Sequence, residues 1–463
     1  MGKNYYIVAI ELSSSKVSGA VGIETTEGIK ILATASRIVD GFISKGIVRN
    51  VDKTSEAITG IINMLDPQLK DVEIKKAYIS FAGLSVHSIK SKVSKGFGQY
   101  TKITKEIIDS LECENEATFV APEGYIRILS NTQEYRLDGN IEQNPIGVPA
   151  SSIECNYLNI VMKEQFYKQL EESFTQAQIS IADSLSAARL DADIMLSNDQ
   201  RRNGCALVNI GSDTTTISIY NNDRPRMLTV LPLGSNNITR DIATENISLA
   251  NAEEIKIIRG YKSAGNDNEH INSDKLDSII YARMGEILQN VRYKLEESGE
   301  RVHYIIFTGG GSKLKNLSLL LEEFLPNFKT EIKPEPRFNL ISENGINVDG
   351  VINTVLYGLL KQGKENCCEE IMPAAQQNEN IFSQEEMEGK NDNANVKIEE
   401  NEVVKVVKEV TTQNESVNEK DRIKPDVKRK PSIFDKVKNS VKQWTIQFTN
   451  DTEEEQENDN DNQ

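Results

Sequence analysis

The sequence has few residues that could form a zinc site or a disulfide framework. Its 463 residues include only five cysteines and three histidines, and no two cysteines stand in a CxxC pair. A structural zinc site needs four closely spaced Cys or His ligands, so none is expected. Because the N-terminus does not resemble a signal peptide, we expect a cytosolic protein with reduced thiols.

Long apolar runs and net positive charge are also missing. No apolar run approaches the roughly 20 residues of a membrane-spanning helix, so we predict that the chain does not cross a membrane. The formal net charge is −17 and the sequence pI is about 4.9, which argues against nucleic acid as a partner. Attraction to an anionic membrane therefore requires a local basic segment.

The composition changes near Lys361. Upstream, β-like apolar runs alternate with helical patterns, which is typical of α/β domains. Downstream, residues 365–420 of a predicted linker at 363–430 are rich in Glu, Asn and Gln and poor in aromatics. Such a segment buries too little apolar surface to offset its ordering entropy, so we predict a disordered linker there.

Two segments of the α/β region resemble each other. Residues 5–10 form an apolar run that leads into ELSSSK, and residues 206–210 lead into GSDTTT about 200 residues further along. Both patterns predict a β-hairpin with a hydroxyl-rich tip, as a duplicated α/β domain would produce. Such tips offer backbone N–H groups and hydroxyls to an anion, and two facing tips would clamp the phosphates of a nucleotide. The candidate phosphate-binding residues are Ser13, Ser14, Ser15, Lys16, Gly211, Ser212, Asp213, Thr214 and Thr215.

The hairpin pair resembles the two phosphate loops of the actin/Hsp70/hexokinase ATPase superfamily. The later segment YIIFTGGGS, at residues 304–312, resembles the adenosine loop of the same superfamily. The resemblance implies an actin-like two-lobed ATPase fold of the α/β class that binds ATP, with Mg²⁺ held through water rather than directly. The adenosine-loop candidates are Gly309, Gly310, Gly311 and Ser312.

Within this superfamily the motifs resemble FtsA over about residues 5–360. The segment VLPLGSNNITRDI at 230–242 is similar to the family's IPxGGNxxTxDI, and AEEIK at 252–256 is similar to its AExIK helix. The resemblance adds Gly234, Glu253 and Lys256 to the nucleotide site. Glu253 and Lys256 lie three residues apart on one helix face, where the resemblance directs them to the ribose and adenine. The alternative is a solvated ion pair.

The hairpin tips depart from the family pattern in their acids. Glu11 stands where Asp is usual, and neutral Asn209 and Thr216 stand where the second tip usually has Asp. The usual acids help to hold hydrated Mg²⁺ and to position the attacking water. Glu11 and Asn209 therefore remain the catalytic candidates of what is at most a slow ATPase. Asp213 replaces Gly and adds negative charge beside the phosphates, which is unfavourable unless it points away or meets a cation.

Two further segments resemble subdomain 1C. Most actin-like proteins lack this subdomain, but FtsA and the PilM-type pilus-platform proteins have it. The two segments are YISFAGL at 78–84 and NPIG at 144–147. The resemblance divides the chain into subdomain 1A (1–80 and 158–200), 1C (81–157), 2A (201–243 and 301–362), 2B (244–300), the disordered linker (363–430), an amphipathic membrane-targeting helix (431–449) and an acidic tail (450–463).

The segment 432–449 reads SIFDKVKNSVKQWTIQFT and predicts an amphipathic helix. Its apolar residues recur every three or four positions, lysines surround them, and it contains the only Trp of the chain. A helix of this kind behind a linker suits an anionic membrane interface, although a protein-docking helix has the same pattern. The membrane candidates are Ile433, Phe434, Lys436, Val437, Lys438, Val441, Lys442, Trp444 and Phe448.

The segment IIYAR at 279–283, with Glu286 after it, resembles the IIEPRxxEI helix of subdomain 2B. In the family this region meets the FtsZ C-terminal peptide, which implies Arg283 and Glu286 as partner-binding residues. The resemblance implies a peripheral protein that self-associates into filaments and ties FtsZ to the cytoplasmic side of the cell membrane at the division site. A PilM-type platform protein and a superfamily enzyme such as a sugar kinase are the alternatives.

Overall fold

The apolar run near the N-terminus forms the central strand of a sheet that is covered on both faces. Val8, Ala9 and Ile10 are fully buried there, which explains why the run is continuous rather than alternating. The computed structural model describes residues 5–262, 271–333, 338–342, 346, 348 and 350–371. The first elements are β1 (Ile7–Leu12), β2 (Lys16–Thr25), β3 (Gly28–Ile38), β4 (Ile43–Ser44), β5 (Ile47–Val48), α1 (Val51–Leu65), β6 (Val72–Ile74) and β7 (Lys76–Phe81).

A small antiparallel sheet with its own helix and core follows β7. Leu111 of the helix packs with Ile153 and Tyr157 of the sheet. The predicted range of subdomain 1C, 81–157, needs correction, because residue 81 still belongs to β7 and the last strand continues to Lys163. The elements are β8 (His87–Lys102), α2 (Lys105–Thr118), β9 (Tyr125–Leu137), β10 (Asn140–Glu142) and β11 (Pro149–Lys163), in the sheet order β10-β9-β11-β8.

The chain then returns to the first sheet and crosses to a second one. The crossing elements are α3 (Glu164–Gln176), β12 (Ser180–Ser186), α4 (Ala187–Met195) and α5 (Asn198–Asn203). The second lobe contains β13 (Cys205–Ile210), β14 (Thr215–Asn221), β15 (Arg224–Leu231), α6 (Ser235–Ala243), α7 (Leu249–Arg259), α8 (Ser273–Glu297), β16 (Tyr304–Thr308), α9 (Leu317–Phe324) and β17 (Lys329–Ile332).

The two central sheets have the same topology. The strand order β15-β14-β13-β16-β17 in the second lobe repeats β3-β2-β1-β7-β12 in the first. In each sheet, the first three strands are antiparallel, and the later strands add in parallel beside the first of the three. The duplicated α/β domain predicted from the two similar hairpins is confirmed.

The last described elements return to the first lobe and extend it beyond the predicted end. They are β18 (Leu340–Ser342), α10 (Thr354–Gln362) and β19 (Cys368–Glu370). β18 adds to the edge of the sheet at β3, and β19 pairs with β6. The predicted start of the linker at residue 363 is therefore wrong: Cys367 and Cys368 are buried, and their burial holds residues 363–371 on the domain.

The predictions for the C-terminal part of the chain concern residues that are not described. They are the linker from residue 372 onward, the amphipathic helix at 431–449 and the acidic tail at 450–463. In the described part of the chain, no helix combines the length and the apolar character needed to cross a membrane.

Candidate functional site

The two hairpin tips face one cleft of about 900 Å³. A cleft of this size lies in the range of small-molecule and cofactor sites. The structure brings together residues that the sequence predicted from four separate motifs. The predicted residues that line the cleft are Glu11, Ser13, Ser14, Ser15, Lys16, Asn209, Gly211, Ser212, Thr214, Glu253, Lys256, Gly309, Gly310 and Gly311.

The first tip, between β1 and β2, is a tight turn held by its own hydrogen bonds. The backbone N–H of Ser13 donates to the carbonyl of Lys16 at 3.0 Å, and the Ser13 hydroxyl donates to the same oxygen at 2.8 Å. The Lys16 ammonium donates to the carbonyl of Gly350. The Ser14 hydroxyl accepts from the backbone N–H of Gly46 at 2.8 Å, which connects the tip to the β4–β5 turn.

The second tip, between β13 and β14, is held by the start of α6. The backbone N–H groups of Ser235 and Asn236 donate to the carbonyls of Gly211 and Ser212 at 2.9 and 2.8 Å. A Cβ at Gly234 would lie 2.4 Å from the Ser212 oxygen, so only glycine allows this approach. Gly234 therefore supports the tip from behind and does not line the cleft.

Three other predicted side chains do not line the cleft, and their expected contact with the nucleotide is corrected. Thr215 is fully buried, and its hydroxyl donates to the carbonyl of Leu233 at 2.8 Å. Ser312 is buried and donates to the carbonyl of Gly309 at 2.7 Å. The Asp213 carboxylate does not line the cleft either, and it pairs with Arg240 at 3.2 Å, so it meets the cation that its position requires.

Glu11, at the end of β1, shares the base of the cleft with Asp191 of α4. Asn353, the N-cap residue of α10, donates its side-chain amide to Glu11 Oε2 at 2.6 Å. Burial raises the pKa of Glu11 to about 7, opposed by the Asn353 hydrogen bond and reinforced by the charge of Asp191. Burial likewise raises the pKa of Asp191 to about 6.

Asp191 was not predicted from the sequence, yet it contacts both lobes. Its carboxylate accepts a hydrogen bond of 2.6 Å from the side-chain amide of Asn209 and another from the hydroxyl of Thr354. One feature of the sequence could have identified it: Asp191 is an acidic residue on the apolar face of α4, where a charge is unfavourable unless it has a buried partner. Asn353 was also missed, although an Asn before the apolar run of α10 is a helix-start signal.

The residues at the base of the cleft suit a hydrated divalent cation. Within the described residues, no group of three or more His, Cys, Asp or Glu side chains is placed to hold a metal directly. Glu11 and Asp191 are two crowded carboxyl groups with raised pKa values, and a nearby cation would favour their charged forms. This pair fits the Mg²⁺ that the sequence predicted to be held through water.

The glycine-rich turn after β16 passes closely against the second hairpin. Gly309 has φ of +84°, and a Cβ there would lie 2.2 Å from Asn209 Oδ1. A Cβ at Gly311 would lie 2.3 Å from Ile210 Cγ2. Glycine is therefore required at both positions, and the bare backbone forms one wall of the cleft.

Glu253 and Lys256 on α7 form an ion pair of 2.7 Å that faces the cleft. Lys256 is only 6% exposed and also donates to the Thr239 hydroxyl at 2.9 Å. Burial lowers the pKa of Lys256, while the Glu253 carboxylate opposes that shift. The pair therefore has a buried lysine and a partly exposed glutamate, unlike a fully solvated surface pair. Beside it, the cleft is lined by Leu249 and Ile257, two exposed apolar residues that the sequence analysis did not single out.

The predicted partner residues Arg283 and Glu286 lie on α8, away from the cleft. Arg283 bonds Asp241 of α6 at 2.7 and 2.8 Å and Glu286 at 2.7 Å. Two carboxylates of its own domain therefore already pair with the Arg283 charge, and contact of Arg283 and Glu286 with an acidic peptide stays a prediction.

The repeated sheets and the paired tips over one cleft define the class of the protein: it has the actin-like ATPase fold. In the solved PilM-PilN type IV pilus biogenesis complex, one chain aligns with a TM-score of 0.57 at 16% identity, covering 79% of this chain and 99% of that one, which shows the fold alone. The resemblance to FtsA is also confirmed. The family model described as cell division protein FtsA matches residues 206–343.

Cell division proteins FtsA from two organisms are similar over most of this chain. The protein of Porphyromonas gingivalis is 27% identical over 344 residues, which cover 70% of this chain and 71% of the relative. The protein of Buchnera aphidicola subsp. Baizongia pistaciae is 26% identical over 394 residues, which cover 78% of this chain and 92% of the relative.

Proposed function

We propose that this protein is an actin-like cell division protein that binds ATP with Mg²⁺ and ties FtsZ filaments to the inner face of the cytoplasmic membrane. The observation that carries the proposal is the cleft, where two hairpin tips, a glycine-rich turn and the Glu253–Lys256 pair meet. The similarity to FtsA along most of the chain supports the cell division role.

In the proposed arrangement each wall of the cleft has a separate task. The tips at Ser13–Lys16 and Gly211–Thr214 offer N–H groups and hydroxyls to the phosphates. The backbone of Gly309–Gly311 and the apolar side chains of Leu249 and Ile257 suit the flat adenosine. Glu11 and Asp191 would face hydrated Mg²⁺, which supplies charge compensation for the phosphates when bound.

Hydrolysis is proposed to be slow. Asn209 is neutral and donates its amide hydrogen to Asp191, so it does not act as a base toward water. Without a bound cation, the raised pKa values leave Glu11 and Asp191 partly protonated near neutral pH. Self-association into filaments, regulated by bound ATP rather than by turnover, is the proposed use of the nucleotide.

Attachment to the membrane is proposed for the segment at 431–449, which lies outside the described residues. Its apolar and lysine-rich pattern supports this role, and the FtsZ C-terminal peptide is the proposed partner of the α8 region. The PilM-type alternative shares the fold, but no observation on this chain favours it. The sugar-kinase alternative requires an acceptor pocket and a free catalytic base, and the cleft carboxylates here are hydrogen-bonded.

The test is co-sedimentation of the full chain with FtsZ on anionic liposomes, with and without Mg-ATP. We expect FtsZ to pellet with the vesicles only when this protein is present. Neutral vesicles are the lipid control, and a chain ending at residue 430 is the protein control. Recovery of FtsZ on vesicles at the same level without this protein contradicts the adaptor role, and ATP turnover that requires a sugar acceptor supports the kinase.

A further inference from the structure

Asp213 is an acidic side chain at the tip of the second phosphate hairpin, yet it is only 6% exposed. Its carboxylate accepts hydrogen bonds from both lobes. From the first lobe it meets the backbone N–H of Lys45 at 3.2 Å and the Ser44 hydroxyl at 3.5 Å. From α6 it meets the Asn236 amide at 3.0 Å and the Arg240 guanidinium at 3.2 Å.

These four donors form a set that suits a phosphate oxygen. A backbone N–H, a hydroxyl, an amide and a guanidinium are the groups that bind phosphates in proteins, and Arg is the strongest among them. Two members of the set, Asn236 and Arg240, line the cleft. The Arg240 side chain is 57% exposed and is the part of the set most accessible to a ligand.

The position of Asp213 in the hairpin places its negative charge close to the proposed phosphate site. Its neighbours Ser212 and Thr214 both line the cleft, so the carboxylate lies directly behind one of the two tips proposed to bind the phosphates. A carboxylate at this position both takes donors from the phosphate and repels it through a partly buried region, where screening is weaker than in bulk water.

We propose that Asp213 is a specificity-determining residue that weakens binding of the terminal phosphate and so lowers the affinity for ATP relative to ADP. The inference rests on the proposed nucleotide binding. Because the same carboxylate accepts from the backbone N–H of Lys45, it ties the second tip to the β4–β5 turn of the first lobe. The terminal phosphate of ATP must then compete for Arg240 and Asn236 with the Asp213 carboxylate, which the chain already holds beside them.

The experiment is calorimetric titration of the full chain with Mg-ADP and with Mg-ATP. Asp213→Asn keeps an oxygen that accepts from Lys45 but removes the charge. We expect it to raise the affinity for ATP relative to ADP by roughly tenfold, the size of effect of one unit charge at a partly solvated site several ångström away. Asp213→Ser, a smaller neutral acceptor, should change the ratio in the same direction.

Asp223→Asn is the matched control. It makes the same change of charge at the other end of β14, where the Asp223 carboxylate pairs with the exposed Arg202 at 3.2 Å. We expect the ATP-to-ADP ratio of this variant to equal that of the wild type. An unchanged or lowered ratio in both folded Asp213 variants overturns the inference while leaving the proposed function intact. Failure of the wild type and all variants to bind either nucleotide overturns the proposed function itself, and the inference with it.

Discussion

Asn209 donates its side-chain amide hydrogen to Asp191 at 2.6 Å, and the bond joins the second phosphate hairpin to helix α4 of the first lobe. The resemblance to FtsA places a carboxylate at position 209, where this chain has an amide. In this chain the negative charge comes instead from Asp191, so it is present in the cleft but lies on α4. Asn209 and Asp191 form a donor–acceptor pair whose two side chains must be considered together.

The first prediction is that Asn209→Asp destabilises the protein and does not accelerate hydrolysis. The change places two carboxylates within hydrogen-bond distance in a buried region and removes the donor between them. We expect a loss of about 1–3 kcal/mol in the free energy of unfolding. The reciprocal double variant Asn209→Asp with Asp191→Asn restores the bond with its donor reversed and should recover most of that loss.

Denaturant unfolding of the wild type, both single variants and the double variant measures the coupling directly. ATP turnover of the same four proteins shows whether a carboxylate at position 209 is sufficient for faster hydrolysis. A single Asn209→Asp variant as stable as the double variant would show that the two side chains do not interact in solution.

The second prediction concerns pH. The pKa of Glu11 is raised to about 7 and that of Asp191 to about 6, so between roughly pH 4.5 and 7 the folded state binds more protons than the unfolded chain. The free energy of unfolding of the nucleotide-free protein should therefore fall as the pH rises through this window. The measurement is the melting temperature from pH 5 to 8 without nucleotide or divalent cation.

Glu11→Gln should reduce that pH dependence to the part contributed by Asp191, because the side chain at position 11 no longer titrates. Glu56→Gln is the control, since Glu56 is exposed on α1 and does not line the cleft. A wild-type melting temperature that rises from pH 5 to 7 would contradict the assignment of raised pKa values to the cleft carboxyls.

The third prediction separates the adenosine side of the cleft from the phosphate side. Lys256→Met removes a buried cation next to Thr239 and Glu253, and should weaken binding of both adenosine and ADP, by roughly tenfold for ADP. Lys275→Met, which removes a lysine from an exposed pair with Glu245, should leave both affinities unchanged. Calorimetry with the two ligands checks this, and a loss confined to ADP would move Lys256 to the phosphate side.

The fourth prediction concerns the α8 surface. Because Arg283 is neutralised by Asp241 and Glu286, removing one carboxylate leaves more of its charge for an acidic ligand. Glu286→Gln should therefore tighten binding of the FtsZ C-terminal peptide, roughly threefold, as one partly exposed charge interaction allows. Fluorescence anisotropy with labelled peptide measures the change.

Arg283→Gln should instead destabilise the fold by about 1–3 kcal/mol, since it leaves two partly buried carboxylates without a cation. Loss of peptide binding in that variant is informative only if its melting temperature is close to that of the wild type. Unchanged peptide affinity in Glu286→Gln would place the peptide elsewhere on the molecule.

The sequence predicted those parts of the site that depend on local patterns. The hairpins at Glu11–Lys16 and Asn209–Thr216 are strand–turn–strand units, and the repeat between them predicted the duplicated sheets. The contacts of Asp191, Asn353 and Arg240 join different elements of the chain, and no periodicity in the sequence predicts such contacts. The strand Cys368–Glu370 was taken for linker because its composition is polar, and its pairing with Val72–Ile74 is a tertiary contact.

The last prediction concerns the segment Ser432–Thr449, where the reasoning rests on sequence periodicity alone. Trp444→Glu places a charge on the apolar face of the predicted helix, and Gln443→Glu adds the same charge on its polar face. Partial burial of five or six apolar side chains should supply several kcal/mol of membrane affinity, at about 1.5–3 kcal/mol for each fully buried one.

Trp444→Glu should therefore abolish flotation with anionic liposomes at every salt concentration, because the apolar contact of the Trp is lost and burying a charge is unfavourable. Gln443→Glu should weaken flotation only at low salt, since it acts through screened attraction between the lysines and the leaflet. Removal of residues 451–463, which are largely acidic, should strengthen binding at low salt for the same reason. Equal flotation of the Trp444→Glu and Gln443→Glu variants would mean that charge alone governs attachment. Flotation of both at the wild-type level would assign the segment to a protein partner.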